Sequence, residues 1–426
     1  MMAASYRAFR LVAGALAFIV AGCTPAHPTP QLPPVSDSAA IVADISYLAS
    51  PALAGRLIGT PGNDRAAAYI AERYQALGLR PLAAGYRQPF VAHPLVREGP
   101  PPSIPTQNVF ALIPGSDAGL QGEYVVIGAH FDHLGTSTDG ALDPEAHGVR
   151  RGADDNASGT AAVLALASHF ARRPARRSII VANFSGEEQG LLGSSYFVDH
   201  MPVPIDSVDA MLNFDMVGRL RNDKLLVFGV ATAIEWPAIV DAANTQPKLT
   251  IAAQGDGFGP SDHSSFYAKN VPVLHFFTDQ HEDYHKISDV PERINAGGEA
   301  RIVALAERIA RDVADRPARL GFVRAAVSQA ASNRTGSGVY LGSIPDMAGG
   351  DVPGLRLTGV TAGSPADVGG LKAGDVIVEL DGKPIKDLYS YSDALYAHKP
   401  GDEVTIVLVR DGQRLTRRVT LGKRGG

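Results

Sequence analysis

From about residue 60 to residue 315, short unbroken apolar runs alternate with longer stretches whose apolar residues recur every three or four positions. The spacing predicts helices in "GNDRAAAYIAERYQALGL", where Ile70, Tyr74 and Leu77 share a face, in "ASGTAAVLALASHFARR", in "GLLGSSYFVDH", in "TAIEWPAIVDAAN" and in "INAGGEARIVALAERIARDVAD". Asn63 or Asp64 is the expected cap of the first and Gly78 its stop. The runs "NVFALIPG", "EYVVIGAH", "RSIIVANF", "SVDAMLNFDMVG", "KLLVFG" and "NVPVLHFFT" predict strands. They are continuous rather than alternating, as in strands buried on both faces. Strand and helix take turns, so the expected fold class is a three-layer α/β/α domain with a largely parallel mixed sheet over 37–316.

After Arg316 the pattern changes. Residues 317–337 ("PARLGFVRAAVSQAASNRTGS") read as a linker, and 338–424 as a small β-rich domain. There Asp381-Gly382 between apolar runs signals a hairpin, and Ser364-Pro365 a helix cap and first turn.

The N-terminus has a third pattern. Arg7 and Arg10 precede the apolar stretch Leu11–Ala21, and small residues follow. This is the order of an export signal, here 1–22. Its end, Val20-Ala21-Gly22-Cys23, resembles the lipobox of bacterial lipoproteins. That resemblance implies cleavage before Cys23, lipidation of its thiol, and a membrane anchor facing the periplasm or cell surface. Residues 23–36 read as a Pro-rich tether. Cys23 is the sole cysteine of the 426 residues, which excludes an intrachain disulfide and a thiol nucleophile in the fold. The net charge of −5 gives no basic surplus for nucleic acid.

Polar clusters fall where the predicted strands end: His130, Asp132 and His133 after "YVVIGA", Glu187 and Glu188 after "IIVANF", Asp215 after "AMLNF". In open α/β sheets ligands bind at those carboxyl ends. "GADDNASG" adds Asp154 and Asp155, and "EDYHKISD" adds Asp283, Tyr284, His285 and Asp289. Imidazole with carboxylate and no thiolate suits zinc or a similar divalent ion. No "GxSxG" occurs. Asp154 reads as a cap for the helix that starts near Ala157, His133 as a loop hydrogen-bonder and His275 as a packing residue. Asp262 and His263 read as a helix cap, with lining of the cleft as the alternative, and His281, Glu282 and Asp283 as loop residues at the mouth.

In order and spacing, "HFDH", "GADDNASG", "GEEQGLLGS", "NFDMVG" and "DYHKISD" resemble the M28 family of di-zinc aminopeptidases, over roughly 44–314. The resemblance implies two zinc ions per chain. His130 and Asp215 would each ligate one, Glu188 and His285 the other, and Asp155 would bridge them. Asp132 would orient the His130 imidazole, Glu187 would be the general base, and Tyr284 would steady the tetrahedral intermediate. Ions about 3.5–4 Å apart can share a carboxylate and lower the pKa of a shared water. The implied activity is removal of N-terminal residues from peptides with free N-termini. Carboxypeptidase action, for which Arg150, Arg151 and Arg219 are candidate carboxylate partners, and glutaminyl cyclisation are alternatives on the same scaffold. A non-catalytic peptide-binding protein is another.

The C-terminal unit resembles a PDZ domain, most clearly through "GSPADVGGLKAGDVIVELDGKPI". Tyr340, Leu341 and Gly342 stand where such domains hold a peptide C-terminus.

Overall fold

The computed structural model describes residues 37–325 except 83–84, 95–100, 246–247 and 256, and most of 339–423. The signal, the tether and Cys23 lie outside the described residues. Among the described residues no helix is long and apolar enough to cross a membrane.

The larger domain contains helices α1 (Asp37–Leu48), α2 (Pro61–Ala76), α3 (Gly159–Arg172), α4 (Leu192–Asp199), α5 (Trp236–Ala243), α6 (His263–Ala268) and α7 (Ala296–Asp315). Its strands are β1 (Arg87–Ala92), β2 (Ile104–Ile113), β3 (Tyr124–His130), β4 (Ser178–Phe184), β5 (Val208–Phe214), β6 (Lys224–Phe228), β7 (Thr250–Ala253) and β8 (Val273–Phe277). They form one sheet in the order β1-β2-β4-β3-β5-β8-β6-β7. The central four, β4-β3-β5-β8, are parallel. β2 joins β4 antiparallel, β1 joins β2 antiparallel, and β6 joins β8 antiparallel.

Both faces of the sheet are covered, which is why its strands read as continuous apolar runs. Val125, Ile127, Ile179, Val181, Ala210 and Leu212 enter the core on one face, with residues of α1, α2, α3, α5 and α7. Their neighbours Val126, Ile180, Ala182 and Met211 enter the other, with Phe197 of α4 and Phe266 of α6. Each valine, leucine, isoleucine, methionine or phenylalanine among them, withdrawn from water, stabilises the fold by roughly 1.5–3 kcal/mol before entropy. In α7, Ile302, Val303, Ala306, Ile309, Ala310 and Val313 recur at helical spacing and are all buried.

The cap of α2 differs from expectation. Thr60 accepts from the Asn63 backbone N–H, while the Asn63 side chain is buried and binds Ser185 and the Arg56 carbonyl. Residues 317–325, expected to begin a linker, lie along the larger domain. Leu320 N–H donates to Asp209, Val323 N–H to the Thr232 carbonyl, and Ala325 N–H to the Tyr267 hydroxyl.

The second domain has strands β9 (Val339–Tyr340), β10 (Ser343–Pro345), β11 (Leu355–Val360), β12 (Val376–Leu380), β13 (Lys383–Pro384), β14 (Glu403–Arg410), β15 (Gln413–Thr420) and β16 (Gly422–Lys423), with the short helix α8 (Pro365–Val368). One sheet runs β10-β11-β12-β14-β15, β13 pairs with β12, and β9 pairs with β16. Ser364 caps α8 by accepting from Asp367 N–H. This domain has its own core, with Leu341, Leu355, Ile377, Leu380, Ile406 and Leu408 at its heart.

Candidate active site

The acidic and histidine clusters converge at the carboxyl ends of the parallel strands. His130 is the last residue of β3, Asp215 follows β5, Glu187 and Glu188 lie three and four residues past β4, and His285 sits in the loop beyond β8. Asp155 comes from the buried turn Ala153–Ser158 that leads into α3. A carboxylate buried at a strand end needs a partner or a cation.

Asp155 lies between the two histidines. Its Oδ1 is 3.4 Å from His130 Nε2, and its Oδ2 is 3.1 Å from His285 Nε2. On one side His130 Nε2 also faces Asp215 Oδ1 at 3.4 Å and Glu187 Oε2 at 3.9 Å. On the other, His285 Nε2 faces Glu188 Oε2 at 3.2 Å. His130 Nε2 is buried without a hydrogen-bond partner. The donor atoms of His130, Glu187 and Asp215 lie within 4.8 Å of one another, as do those of His133, Asp155 and Glu188.

The two adjacent glutamates differ in character. Burial pushes the Glu187 carboxyl well above the usual range; His130 opposes this, and the charges of Asp215 and Glu188 add to it. Burial acts the same way on Glu188, but His285 and His133 outweigh it and hold that carboxyl well below its usual range. Burial disfavours charge on His285, yet Glu188 and Asp155 push its pKa up to about 11. Tyr284 stacks on His285 with centroids 3.8 Å apart, and burial followed by the site's carboxylates keeps its hydroxyl protonated.

The loops are braced by residues of mixed legibility. His130 Nδ1 lies 3.3 Å from the Asp132 main-chain carbonyl and 3.7 Å from its carboxylate. The Asp132 carboxylate instead accepts the backbone N–H of Glu187 at 3.1 Å. His133 is a hydrogen-bonder, as read, but its Nδ1 is on Glu188 Oε1 at 2.6 Å, inside the site. Gly152, at φ +59, makes room for that ring, since a Cβ there would come within 2.5 Å of it. His285 has φ +54, a strained value for a non-glycine residue. Its Nδ1 meets the Gly140 carbonyl at 2.7 Å.

Several local readings are corrected. Asp154 does not cap the helix through backbone donors of its first turn. Its Oδ1 accepts from Gly218 N–H and the Ser158 hydroxyl, and its Oδ2 faces His281 Nε2 at 3.1 Å. Asp262 makes no cap bond to α6. It is buried, and burial pushes its carboxyl up to about 7. His263 stacks on His275 with centroids 4.4 Å apart. His281 and Asp283 are buried, and Asp283 accepts from Arg219, Arg293 and Ser288. Of the candidate carboxylate-binding cations, Arg150 is engaged by Asp143 and Arg219 by Asp283.

Sequence reasoning missed Arg56. Its side chain is fully buried and donates to the carbonyls of Phe131 (2.6 Å), Leu48 (2.7 Å), Arg151 (2.7 Å) and Gly152 (2.9 Å). It thereby ties the His130–Asp132 loop to the Asp155 turn. Gly55, at φ +73, permits the approach: a Cβ there would meet the Arg150 carbonyl at 2.1 Å.

Two cavities open from the centre. One of about 70 Å³ is walled by Met216, Phe228, Phe277 and His275 beside Asp215. The other, about 440 Å³, runs from Glu187 and Glu188 between α4 and α6. Pro260, Tyr284 and His285 line both.

Residues 108–310 match the peptidase family M28, and residues 331–421 match the PDZ domain. A probable zinc metalloprotease of Leptosphaeria maculans is 38% identical over 117 residues, 28% of this chain and 26% of that protein. A probable leucine aminopeptidase of Arthroderma otae is 28% identical over 184 residues, covering 39% and 45%. The chain thus spans about a quarter of the length of the first curated relatives it matches. A leucine aminopeptidase precursor from Bacteroides thetaiotaomicron shares the fold, with a TM-score of 0.55, 17% identity, and coverage of 65% of this chain and 97% of that one.

Proposed function

We propose that this chain, a peptidase family M28 domain followed by a PDZ domain, is a zinc-dependent aminopeptidase working through two zinc ions. The residues present fit such a centre. Four carboxylates converge around His130 and His285, and His130 Nε2, buried and without a hydrogen-bond partner, points into the cluster. Zinc ligands are of this type. His130 and Asp215 would hold one ion, His285 and Glu188 the other, and Asp155 both. Bound there, the ions would supply Lewis-acid polarisation of the peptide carbonyl and a water acidic enough to ionise near neutrality.

Everything else is done by side chains. Glu187 takes the proton from the attacking water and returns it to the leaving amine. Tyr284, kept protonated, donates to the carbonyl oxygen as charge develops there. Met216, Phe228 and Phe277 receive an apolar N-terminal side chain, in keeping with a leucine aminopeptidase among the relatives. Attachment to a membrane through lipidated Cys23 completes the reading, and the mass of the mature N-terminus checks it.

The observation that carries this reading is Asp155, whose two oxygens face different histidines. A panel of aminoacyl-nitroanilides and N-blocked peptides, assayed with and without chelator, tests it. Chelator-sensitive release from free N-termini is expected. Activity confined to blocked peptides would overturn it.

A further inference from the structure

Strand β10 lies at one end of its sheet and, among the described residues, is paired along one edge only, with β11. It leaves directly from the Tyr340–Gly342 turn, where Gly342 has φ +81. Beside it, Ser343 Oγ hydrogen-bonds the Tyr391 hydroxyl, linking β10 to the helical turn at 390–391. The other end of β10 is Pro345, which lines the larger cavity together with Glu187, Glu188, Tyr284 and His285. The course of the chain agrees with this. Its last described residue before the second domain, Ala325, is pinned to Tyr267 of α6, and α6 walls that same cavity through Ser264, Ser265 and Ala268.

Strand polarity then sets a direction. A peptide adding antiparallel to β10, its carboxylate at the Tyr340–Gly342 turn, runs with its N-terminal end towards Pro345. Proline has no N–H to extend a ladder, so pairing stops there and the peptide leaves the strand at the cavity. We propose that the PDZ edge strand and the catalytic cavity form one continuous track, which holds the free C-terminus of a peptide at Gly342 and delivers its N-terminus to Glu187. The inference builds on the aminopeptidase reading and names the substrate class: unstructured peptides with both termini free. Three residues along β10, at roughly 3.3–3.6 Å each, and the further span of the cavity require a peptide longer than three residues.

Capture of the far end is binding shared by ground and transition states. It lowers KM and leaves kcat unchanged. A nonapeptide and a tripeptide, each beginning with leucine and each made as free acid and as C-terminal amide, test this on the full chain with leucine release as readout. Amidation is expected to raise KM of the nonapeptide about tenfold at constant kcat, and to leave the tripeptide and leucine-nitroanilide unchanged. The track is overturned if the nonapeptide pair shows equal KM. It is also overturned if amidation impairs both lengths alike, which would mark recognition of the carboxylate at the centre itself. Absence of leucine release from every substrate, nitroanilide included, would instead reject the aminopeptidase reading and the track with it.

Discussion

The backbone N–H of Glu187 donates to Oδ1 of Asp132 at 3.1 Å. The residue two places beyond His130 therefore sets the main chain of the proposed base, while the nearest partner of the His130 ring is the Asp132 carbonyl, which any substitution there retains. Asp132→Ala should accordingly act on turnover more than on metal binding. The expected result is a kcat lower by about 10- to 100-fold, with two zinc ions retained by elemental analysis. Loss of one ion in step with activity would assign Asp132 to the metal instead.

Arg56 is the buried cation on which two of the site's loops converge. Among the described residues its charge is not paired at contact distance with a carboxylate; four carbonyls hold it, and burial pulls its pKa down to about 10. Replacement by methionine keeps the bulk but removes the charged donor from four carbonyls. Hydrogen bonds to a charged group contribute about 1.5–3 kcal/mol each and are not additive, so a loss of at least about 3 kcal/mol is expected. Arg56→Lys should fall between, because an ammonium lacks the planar fork. Denaturant midpoints measure both, and a wild-type midpoint for Arg56→Met would contradict the role.

Glu299, which is not among the proposed ligands, gives a pH test. It is fully buried in the first turn of α7, and burial, then the charge of Asp154, pushes its carboxyl well above the usual range. The folded pKa exceeds the unfolded one, so the unfolded chain loses this proton first. Native stability therefore falls as pH rises above the ordinary glutamate value near 4.5 towards the folded pKa. Glu299→Gln removes that penalty. The gain in Tm over wild type should be larger at pH 8 than at pH 5, as read by calorimetry; a gain that shrinks with pH would reverse the sign.

How much of this was legible depended on range in sequence. His130, Glu187, Glu188 and Asp215 stood out because each ends or follows a buried strand, and the strand run itself marks where the chain must emerge. Asp154 was misread because sequence offers only near neighbours as partners, whereas two of its three partners, Gly218 and His281, lie 64 and 127 positions away. Arg56 was invisible for the same reason: its Arg151 and Gly152 acceptors are 95 and 96 residues distant. Strands β1 and β7 escaped because they lie at the sheet's edges with half-exposed faces, and so lack an apolar run. The antiparallel additions of β2 and β6 depend on the path of their connections, which composition does not encode.

The central claim is that adjacent glutamates divide two tasks, Glu188 holding metal and Glu187 moving a proton. Kinetics and zinc content of Glu187→Gln, with Glu188→Ala alongside, test it most directly. Glu187→Gln is expected to bind two zinc ions and keep the wild-type fold while kcat falls by about 10²–10⁴, the usual contribution of a general base. Glu188→Ala should lose affinity for one ion. Near-wild-type turnover in Glu187→Gln, or loss of a zinc ion from it, would contradict the division.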